Sequence, residues 1–194
     1  MNAKVKICGI QTIENAQIAI ANGADYLGFN FVPTSKRYID PNSAKTIISN
    51  ISGYVQAVGV FLNQQLSYVN ELIEYLSLDF AQLHGVEDIE YIKNVNTKVI
   101  KTIHEVPKHM DIPFFLLDRK YQGKGKLVNL EKAKLLSQSL PLFIAGGLTP
   151  VNVGEVIRIV RPYGVDVAGG IEVNGIQNEQ KIINFISNAK AIKL

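Results

Sequence analysis

The only cysteine of the chain stands near its N-terminus, at the end of the short run Lys4–Cys8. If this run forms a strand, alternation places the side chains of Lys6 and Cys8 on one face, about 7 Å apart. A cysteine acts as a base only as the thiolate, because the ordinary pKa of a thiol is about 8.5. The Lys6 charge favours that form. The spacing is compatible with Cys8 as a general base, and also with a buried, inert cysteine.

A carboxyl group follows the apolar run Phe114–Leu117. Desolvation at the end of a buried strand favours the protonated form of Asp118, which suits a general acid. The alternative is a carboxylate that caps the following loop or pairs with Arg119 or Lys120.

A second acidic residue, Asp166, lies within the run Gly164–Ala168. Alternation turns Asp166 to the same side of this run as Ala168. In a closed eight-stranded barrel the last strand neighbours the first, so we expect Asp166 to pair with Lys6 inside the barrel. We interpret Asp166 mainly as a structural partner of Lys6, with a catalytic role as the second choice.

Two glycine pairs, Gly146-Gly147 and Gly169-Gly170, follow late strand-like runs. Exposed backbone N–H groups in such turns can bind a phosphate, and the loops after the last two strands are the usual phosphate site in parallel barrels. The alternative is that each pair only permits a tight turn.

Arg37 and His84 are the remaining candidates. Arg37 follows the second strand-like run, where its guanidinium is able to bind a substrate carboxylate; the alternative is a solvated surface charge. His84, in the segment Gln82–Gly85, should point into the mouth of a barrel or pack as a hydrogen-bonded histidine. The three histidines and one cysteine lack the spacing of a metal site, so we expect no metal.

Short strand-like runs alternate with amphipathic stretches along the chain. The expected strands are Lys4–Cys8, Tyr26–Phe31, Gln56–Phe61, Phe80–Leu83, Val99–Ile103, Phe114–Asp118, Leu142–Ala145 and Val165–Ala168. The expected helices are Thr12–Asn22, Asn42–Asn50, Gln65–Leu76, Val86–Asn94, Asn129–Ser139, Val151–Val160 and Gln177–Lys190. This alternation predicts a (β/α)₈ TIM barrel, parallel and eight-stranded, as one domain over residues 1–194.

One helix of this barrel should be abbreviated or missing, because the stretch His104–Ile112 is short and contains Pro107. An open doubly wound sheet is the structural alternative. It would carry a GxGxxG motif after the first strand, where only Cys8-Gly9 stands. In the barrel, the C-terminal ends of all strands share one face, so the candidate residues should surround one pocket.

The composition is that of an ordinary globular protein. With 194 residues the chain is slightly short for a barrel of roughly 200–250 residues. Its net charge of +3 suits an anionic small molecule, and no Lys/Arg-rich run supports a nucleic-acid partner. One cysteine, no signal-peptide pattern and no membrane-length apolar run predict a cytoplasmic protein without a membrane partner.

Taken together, these segments resemble the phosphoribosylanthranilate isomerase family nearly end to end. The segments that carry the resemblance are Lys6–Ile10, Gly23–Asp25 with Gly28-Phe29, Ser35–Tyr38, Val58–Phe61, Gln82–Gly85, Leu117-Asp118, Ala145–Leu148 and Val165–Val167. The combination of KICG, QLHG and a late AGGL is specific, although no single piece would suffice.

The resemblance implies an Amadori rearrangement in tryptophan biosynthesis, without a metal or organic cofactor. N-(5-phosphoribosyl)anthranilate would become 1-(2-carboxyphenylamino)-1-deoxyribulose 5-phosphate. By the family pattern, Asp118 protonates the ring oxygen and Cys8 removes the C2′ proton. Arg37 would hold the anthranilate carboxylate, and the two glycine turns the phosphate.

Two segments depart from the family pattern. The loop after the sixth strand usually resembles GG(S/T)GKTFDW and is Tyr121–Asn129 here, while the usual SSG(V/I)E is Ala168–Glu172 here. The second change removes two hydroxyls that are able to bond phosphate. The two departures leave open the alternative of a catalytically silent phosphosugar-binding barrel.

A relative of indole-glycerol-phosphate synthase is the other enzyme alternative. That chemistry would require a catalytic Lys/Glu set and a segment ahead of the first strand. The sequence leaves the choice between a monomer and a homodimer open.

Overall fold

Eight parallel strands close into a barrel, with β1 hydrogen-bonded to both β2 and β8. The computed structural model describes residues 2–106, 112–119 and 127–194. The strands are β1 Lys4–Cys8, β2 Tyr26–Asn30, β3 Gln56–Phe61, β4 Phe80–Leu83, β5 Lys98–Ile103, β6 Phe114–Leu117, β7 Leu142–Ile144 and β8 Gly164–Val167. They follow one another around the barrel in chain order, which confirms the predicted TIM-barrel class.

Helices follow most of the strands on the outside of the barrel. They are α1 Ile13–Ala21, α2 Pro41–Ile51, α3 Leu66–Leu76, α4 Ile89–Lys93, α5 Leu130–Ser137, α6 Val153–Val160 and α7 Glu179–Lys190. Between β5 and β6, residues 104–106 and 112–113 form no helix, and residues 107–111 lie outside the described part of the chain. Within the described ranges, no helix is both long and apolar enough to cross a membrane.

Helix α4 is shorter than predicted, because it begins at Ile89 rather than near Val86. The backbone N–H of Val86 donates to the side chain of Asn63 in the loop after β3, at 2.7 Å. Asp88 then caps the helix by accepting from the N–H of Tyr91. The hydrogen bond between the two loops therefore holds Val86 outside the helix, although the apolar pattern placed Val86 in its first turn.

The interior of the barrel is divided into an apolar and a polar half. Aromatic rings at the N-terminal ends of the strands contact one another, with centroids 5.6 Å apart for Tyr26 and Phe80 and 5.3 Å apart for Tyr26 and Phe143. Nearer the C-terminal ends, the buried polar side chains are those of Lys6, Gln82, Thr102 and Asp166. The apolar half thus leaves the C-terminal half of the interior for a polar site.

A hairpin follows the last barrel strand and was not predicted. After a 3₁₀ turn at Gly169–Ile171, β9 Glu172–Val173 pairs antiparallel with β10 Ile176–Gln177. Asn174 and Gly175 both have positive φ, 52° and 83°, as expected for the asparagine-glycine pair of a two-residue hairpin turn. Helix α7 therefore starts at Glu179, after the Asn178 cap, and Gln177 belongs to the hairpin.

Candidate active site

The side chains of Lys6 and Asp166 form an ion pair inside the barrel. The two residues are register partners on β1 and β8, and Lys6 Nζ lies 2.8 Å from Asp166 Oδ1. The predicted pairing is confirmed. Burial by itself would lower the pKa of Lys6, but Asp166 and the Cys8 sulfur outweigh it, so the pKa of Lys6 is raised. Both partners are almost fully buried, and their attraction offsets part of the cost of burying the pair.

Cys8 ends β1 directly above this ion pair and is buried. A Cβ atom added at the neighbouring Gly28 would lie 2.8 Å from the sulfur and 3.0 Å from Lys6 Nζ, so this glycine makes the room for both groups. Burial raises the pKa of the Cys8 thiol; Lys6 and Arg37 lower it, and Asp166 raises it further. The net direction is upward.

The expected influence of Lys6 on Cys8 is correct in sign but is not the dominant effect. Lys6 shares its charge with Asp166, and burial acts more strongly on the thiol. The thiol is consequently the resting form, and a thiolate formed here is a stronger base than that of an exposed cysteine.

Asp118 follows β6 at the same end of the barrel as Cys8. Desolvation raises the pKa of its carboxyl group, opposed by the N–H of Arg119, which donates to Oδ1 at 2.7 Å. Asp166 also raises it. The carboxyl group therefore keeps its proton to higher pH than an exposed aspartate. Of the alternatives named above, the loop-capping bond to Arg119 is present, whereas Lys120 lies outside the described residues.

Asp166 is the group that links the two candidate catalytic residues electrostatically. Its negative charge raises the pKa of both Cys8 and Asp118, which stand on β1 and β6. Asp166 therefore lies close enough to both groups for its charge to act on each of them.

The two glycine turns lie against each other and against Asp118. Gly146 and Gly147 have φ of 79° and 81°, while Gly169 and Gly170 belong to the 3₁₀ turn. A Cβ atom at Gly170 would lie 1.8 Å from the carbonyl oxygen of Leu148. A Cβ atom at Gly146 would lie 2.7 Å from Asp118 Oδ1. The predicted phosphate-binding turns are therefore adjacent, and one of them borders the candidate acid.

His84 is held beside Gln82 at the end of β4. Its Nε2 is hydrogen-bonded to Nε2 of Gln82, and burial together with the Lys6 charge lowers the pKa of His84 to about 4. The ring is thus neutral near pH 7. Sequence reasoning missed Gln82 and Thr102 as interior polar groups, although alternation along β4 and β5 turns them inward.

Arg37 lies over the mouth and is not a solvated surface charge. Its Nε donates to Glu172 Oε1 at 2.5 Å, and Lys36 binds the other oxygen of that carboxylate at 2.8 Å. Glu172 was quoted in a sequence motif but not predicted as a site residue. Among residues 2–106, 112–119 and 127–194, no three His, Cys, Asp or Glu side chains are grouped as a metal site.

Comparison with known proteins identifies the family to which this chain belongs. The family model described as N-(5'phosphoribosyl)anthranilate (PRA) isomerase matches residues 5–188. The chain belongs to this isomerase family. An N-(5'-phosphoribosyl)anthranilate isomerase of Geobacter metallireducens is 39% identical over 200 residues, which covers 97% of this chain and 99% of the relative.

Solved structures of the isomerase family have the same fold. The phosphoribosyl anthranilate isomerase of Thermotoga maritima superimposes with a TM-score of 0.91 at 35% identity, covering 98% of this chain and 100% of that one. A phosphoribosyl anthranilate isomerase in complex with reduced 1-(o-carboxyphenylamino)-1-deoxyribulose 5-phosphate has a TM-score of 0.85 at 34% identity, with the same coverage.

The two segments that depart from the isomerase motifs are the loop after β6 and the segment Ala168–Glu172 after β8. Residues 121–126 of the altered loop lie outside the described residues. At the end of β8, a Cβ atom on Gly169 would lie 3.2 Å from Arg37 Nη2. Where the isomerase motif usually has a serine, this chain therefore has a glycine with the Arg37 guanidinium beside it.

Proposed function

We propose that this chain rearranges N-(5'-phosphoribosyl)anthranilate to 1-(2-carboxyphenylamino)-1-deoxyribulose 5-phosphate, with Asp118 as general acid and Cys8 as general base. The observation that carries the assignment of roles is the placement of Cys8 and Asp118 at the C-terminal ends of β1 and β6 in one closed barrel. Burial raises the pKa of both groups, and the charge of Asp166 raises both further. An aldose-to-ketose rearrangement requires an acid and a base in one site.

In the first step Asp118 gives its proton to the furanose ring oxygen. The bond between C1′ and that oxygen breaks, its electron pair goes to the oxygen, and the nitrogen lone pair forms the C1′=N bond of a protonated Schiff base. Asp118 is left as a carboxylate. Its raised pKa supports this role, because burial lets the carboxyl group keep its proton to higher pH than an exposed aspartate does, while a carboxylic acid still gives up a proton more readily than water.

In the second step the Cys8 thiolate removes the proton from C2′. The electron pair of the C–H bond forms the C1′–C2′ double bond and neutralises the nitrogen, which gives an enolamine and leaves Cys8 as the thiol. The enolamine becomes the ketone when C1′ gains a proton and the C2′ hydroxyl loses one. Lys6 supports the thiolate with its positive charge. Asp166 in turn holds Lys6 in position.

Substrate binding is assigned to the groups around the two catalytic residues. Arg37 holds the anthranilate carboxylate, and the backbone of Gly146-Gly147 and Gly169-Gly170 holds the phosphate. His84, neutral at the mouth, provides a further hydrogen bond to the substrate. In this scheme Asp118 opens the ring and Cys8 removes the C2′ proton.

Residues 1–194 act as one domain in the cytoplasm on a small-molecule substrate, with neither nucleic acid nor membrane as a partner. The chain functions as a monomer or a homodimer, and light scattering after size-exclusion chromatography decides between the two.

The decay of phosphoribosylanthranilate fluorescence tests the proposal with the wild type, Cys8→Ala and Asp118→Ala. We expect turnover by the wild type and a loss of at least about 10²-fold in each variant. Binding without turnover by the wild type would identify the silent phosphosugar-binding barrel. Equal turnover by all three proteins would overturn the assignment of acid and base.

A further inference from the structure

Glu172 presents a nearly buried carboxylate to two cations from one loop. It lies in β9, and its side chain is only 6% exposed. Arg37 Nε donates to Oε1 at 2.5 Å, and Lys36 Nζ donates to Oε2 at 2.8 Å. These two bonds join the loop after β2 to the hairpin after β8, across 135 residues of sequence.

The Arg37 side chain reaches Glu172 along a path that two glycines leave open. A Cβ atom at Gly9, in the loop after β1, would lie 2.6 Å from Arg37 Cδ, and one at Gly169 would lie 3.2 Å from Nη2. Among the described residues, the hydrogen-bond acceptor of the guanidinium is Glu172, which accepts from Nε. The terminal amino groups remain for a ligand, beside the glycine turn that follows β8.

Arg37 is the cation of this cluster that faces the catalytic groups. Its side chain is 23% exposed against 60% for Lys36, and it is close enough to Cys8 to lower the pKa of that thiol. A guanidinium held through Nε presents its remaining edge as a planar fork, which matches a carboxylate with two parallel hydrogen bonds. A guanidinium that is not held would lose side-chain freedom on binding and would bind less selectively.

We propose that Glu172 is a positioning residue, which fixes Arg37 so that its outer edge binds the aryl carboxylate of the substrate. Glu172 thereby makes the site selective for a phosphoribosyl arylamine that carries an ortho carboxylate over one that lacks it. This inference rests on the proposed function, because it assigns the carboxylate of that substrate to Arg37.

The experiment compares two ligands that differ only in this carboxylate. They are reduced 1-(o-carboxyphenylamino)-1-deoxyribulose 5-phosphate and its phenylamino counterpart, each titrated calorimetrically into the full chain. We expect the wild type to bind the carboxylated ligand at least about tenfold more tightly than the counterpart. Arg37→Met and Glu172→Ala should each remove most of this preference, while affinity for the counterpart changes less than about twofold.

Glu172→Gln and the double variant provide the graded test. The glutamine has the same shape and still accepts from Arg37 Nε, so we expect it to keep part of the preference. Arg37→Met combined with Glu172→Ala should be no less selective than Arg37→Met alone, because both changes remove the same interaction.

Two control variants separate positioning from loop anchoring. Lys36→Met removes the other partner of the same carboxylate, and Lys36 is 60% exposed. Lys181→Met removes the 2.9 Å bond from Lys181 Nζ to the backbone oxygen of Glu172. Both should lower the melting temperature without changing the ligand preference by more than about twofold. If Lys181→Met erased the preference as Glu172→Ala does, Glu172 would be only an anchor of the hairpin.

The outcomes distinguish this inference from the proposed function. If the wild type bound neither ligand and did not turn over phosphoribosylanthranilate, the proposed function would fail. If Arg37→Met removed the carboxylate preference and Glu172→Ala left it intact in a folded protein, the function would stand and the positioning role would be wrong. Circular dichroism of each variant establishes that it is folded.

Discussion

Gly146 lies directly against the carboxyl group of Asp118, since a Cβ atom added at this glycine would be 2.7 Å from Oδ1. Such a distance is shorter than any ordinary carbon–oxygen contact, and the added atom would also lie 2.8 Å from Arg119 Cγ. The glycine turn that is proposed to bind phosphate therefore also sets the position of the proposed acid.

Gly146→Ala should displace the Asp118 carboxyl group. A shift of the order of 1 Å at a reacting group lowers kcat/KM by about tenfold to a hundredfold. Gly23→Ala is the matched control, because Gly23 also has positive φ, 94°, and an added Cβ meets no atom within 4 Å. Both variants should lose about 1 kcal/mol of stability, but only Gly146→Ala should lose activity. Equal activities in the fluorescence assay would show that Gly146 does not position the acid.

Gly170→Ala should separate the two glycine turns. The added Cβ would lie 1.8 Å from the Leu148 carbonyl oxygen, and the obstacle is backbone, so a turn must move. We expect weaker binding of inorganic phosphate and a lower melting temperature, by calorimetry and thermal unfolding. Gly154→Ala, within α6, is the control: its Cβ would meet atoms only at 3.6 Å or beyond, and the helix should gain about 0.5–1 kcal/mol. Unchanged phosphate affinity in Gly170→Ala would remove this turn from the phosphate site.

Strand alternation and barrel closure were enough to predict the ion pair of Lys6 and Asp166. Both rules are local: alternation turns each side chain inward, and closure makes the first and last strands neighbours. The same rules place Gln82 and Thr102 inside, although neither was recognised beforehand as a site group. What lies on the strands could therefore be predicted from pattern alone.

The bond between Arg37 and Glu172 could not be predicted in this way. Both residues lie in segments after strands, where alternation does not specify direction, and the hairpin that carries Glu172 was overlooked despite its Asn174-Gly175 turn. The net pKa direction of Cys8 was equally inaccessible, because it depends on how deeply β1 is buried and on how Lys6 divides its charge.

Lys6→Met should destabilise the protein by about 3–5 kcal/mol, because it leaves the Asp166 carboxylate buried and unpaired. Lys6→Met combined with Asp166→Asn should lose less than Lys6→Met alone, since the unpaired charge is then absent. Lys4→Met, two residues earlier on β1, is the control: its pair with Asp25 is partly exposed and should contribute at most about 1 kcal/mol. Urea unfolding at pH 7 measures all three. A double variant at least as unstable as Lys6→Met alone would contradict a coupled pair.

Alkylation of the single cysteine should report the raised pKa of Cys8. Iodoacetamide reacts with the thiolate, so the rate at each pH, followed by the mass of the intact protein, gives the titration of this one residue. We expect the half-maximal rate above pH 9.0, because burial raises the pKa of this thiol above its ordinary value. Arg37→Met should move it further upward, because the guanidinium lowers this pKa. A midpoint below 9.0 would mean that Lys6 and Arg37 together outweigh burial.

The pH profile of kcat/KM should show both shifts, because the active form needs Asp118 protonated and Cys8 ionised. As pH rises, activity first increases with the thiolate fraction. Once the Asp118 carboxyl group begins to ionise, the gain of thiolate and the loss of protonated acid offset each other, and activity stays level. Activity falls once Cys8 is fully ionised. With the thiol pKa the higher of the two, the acid limb ends above 3.8, the ordinary pKa of an aspartate, and the alkaline limb begins above 9.0. Ionisation of the substrate phosphate is common to all variants, so the limb that Arg37→Met displaces upward belongs to Cys8. An alkaline limb that begins below pH 9, unmoved by that variant, would assign the base to another group.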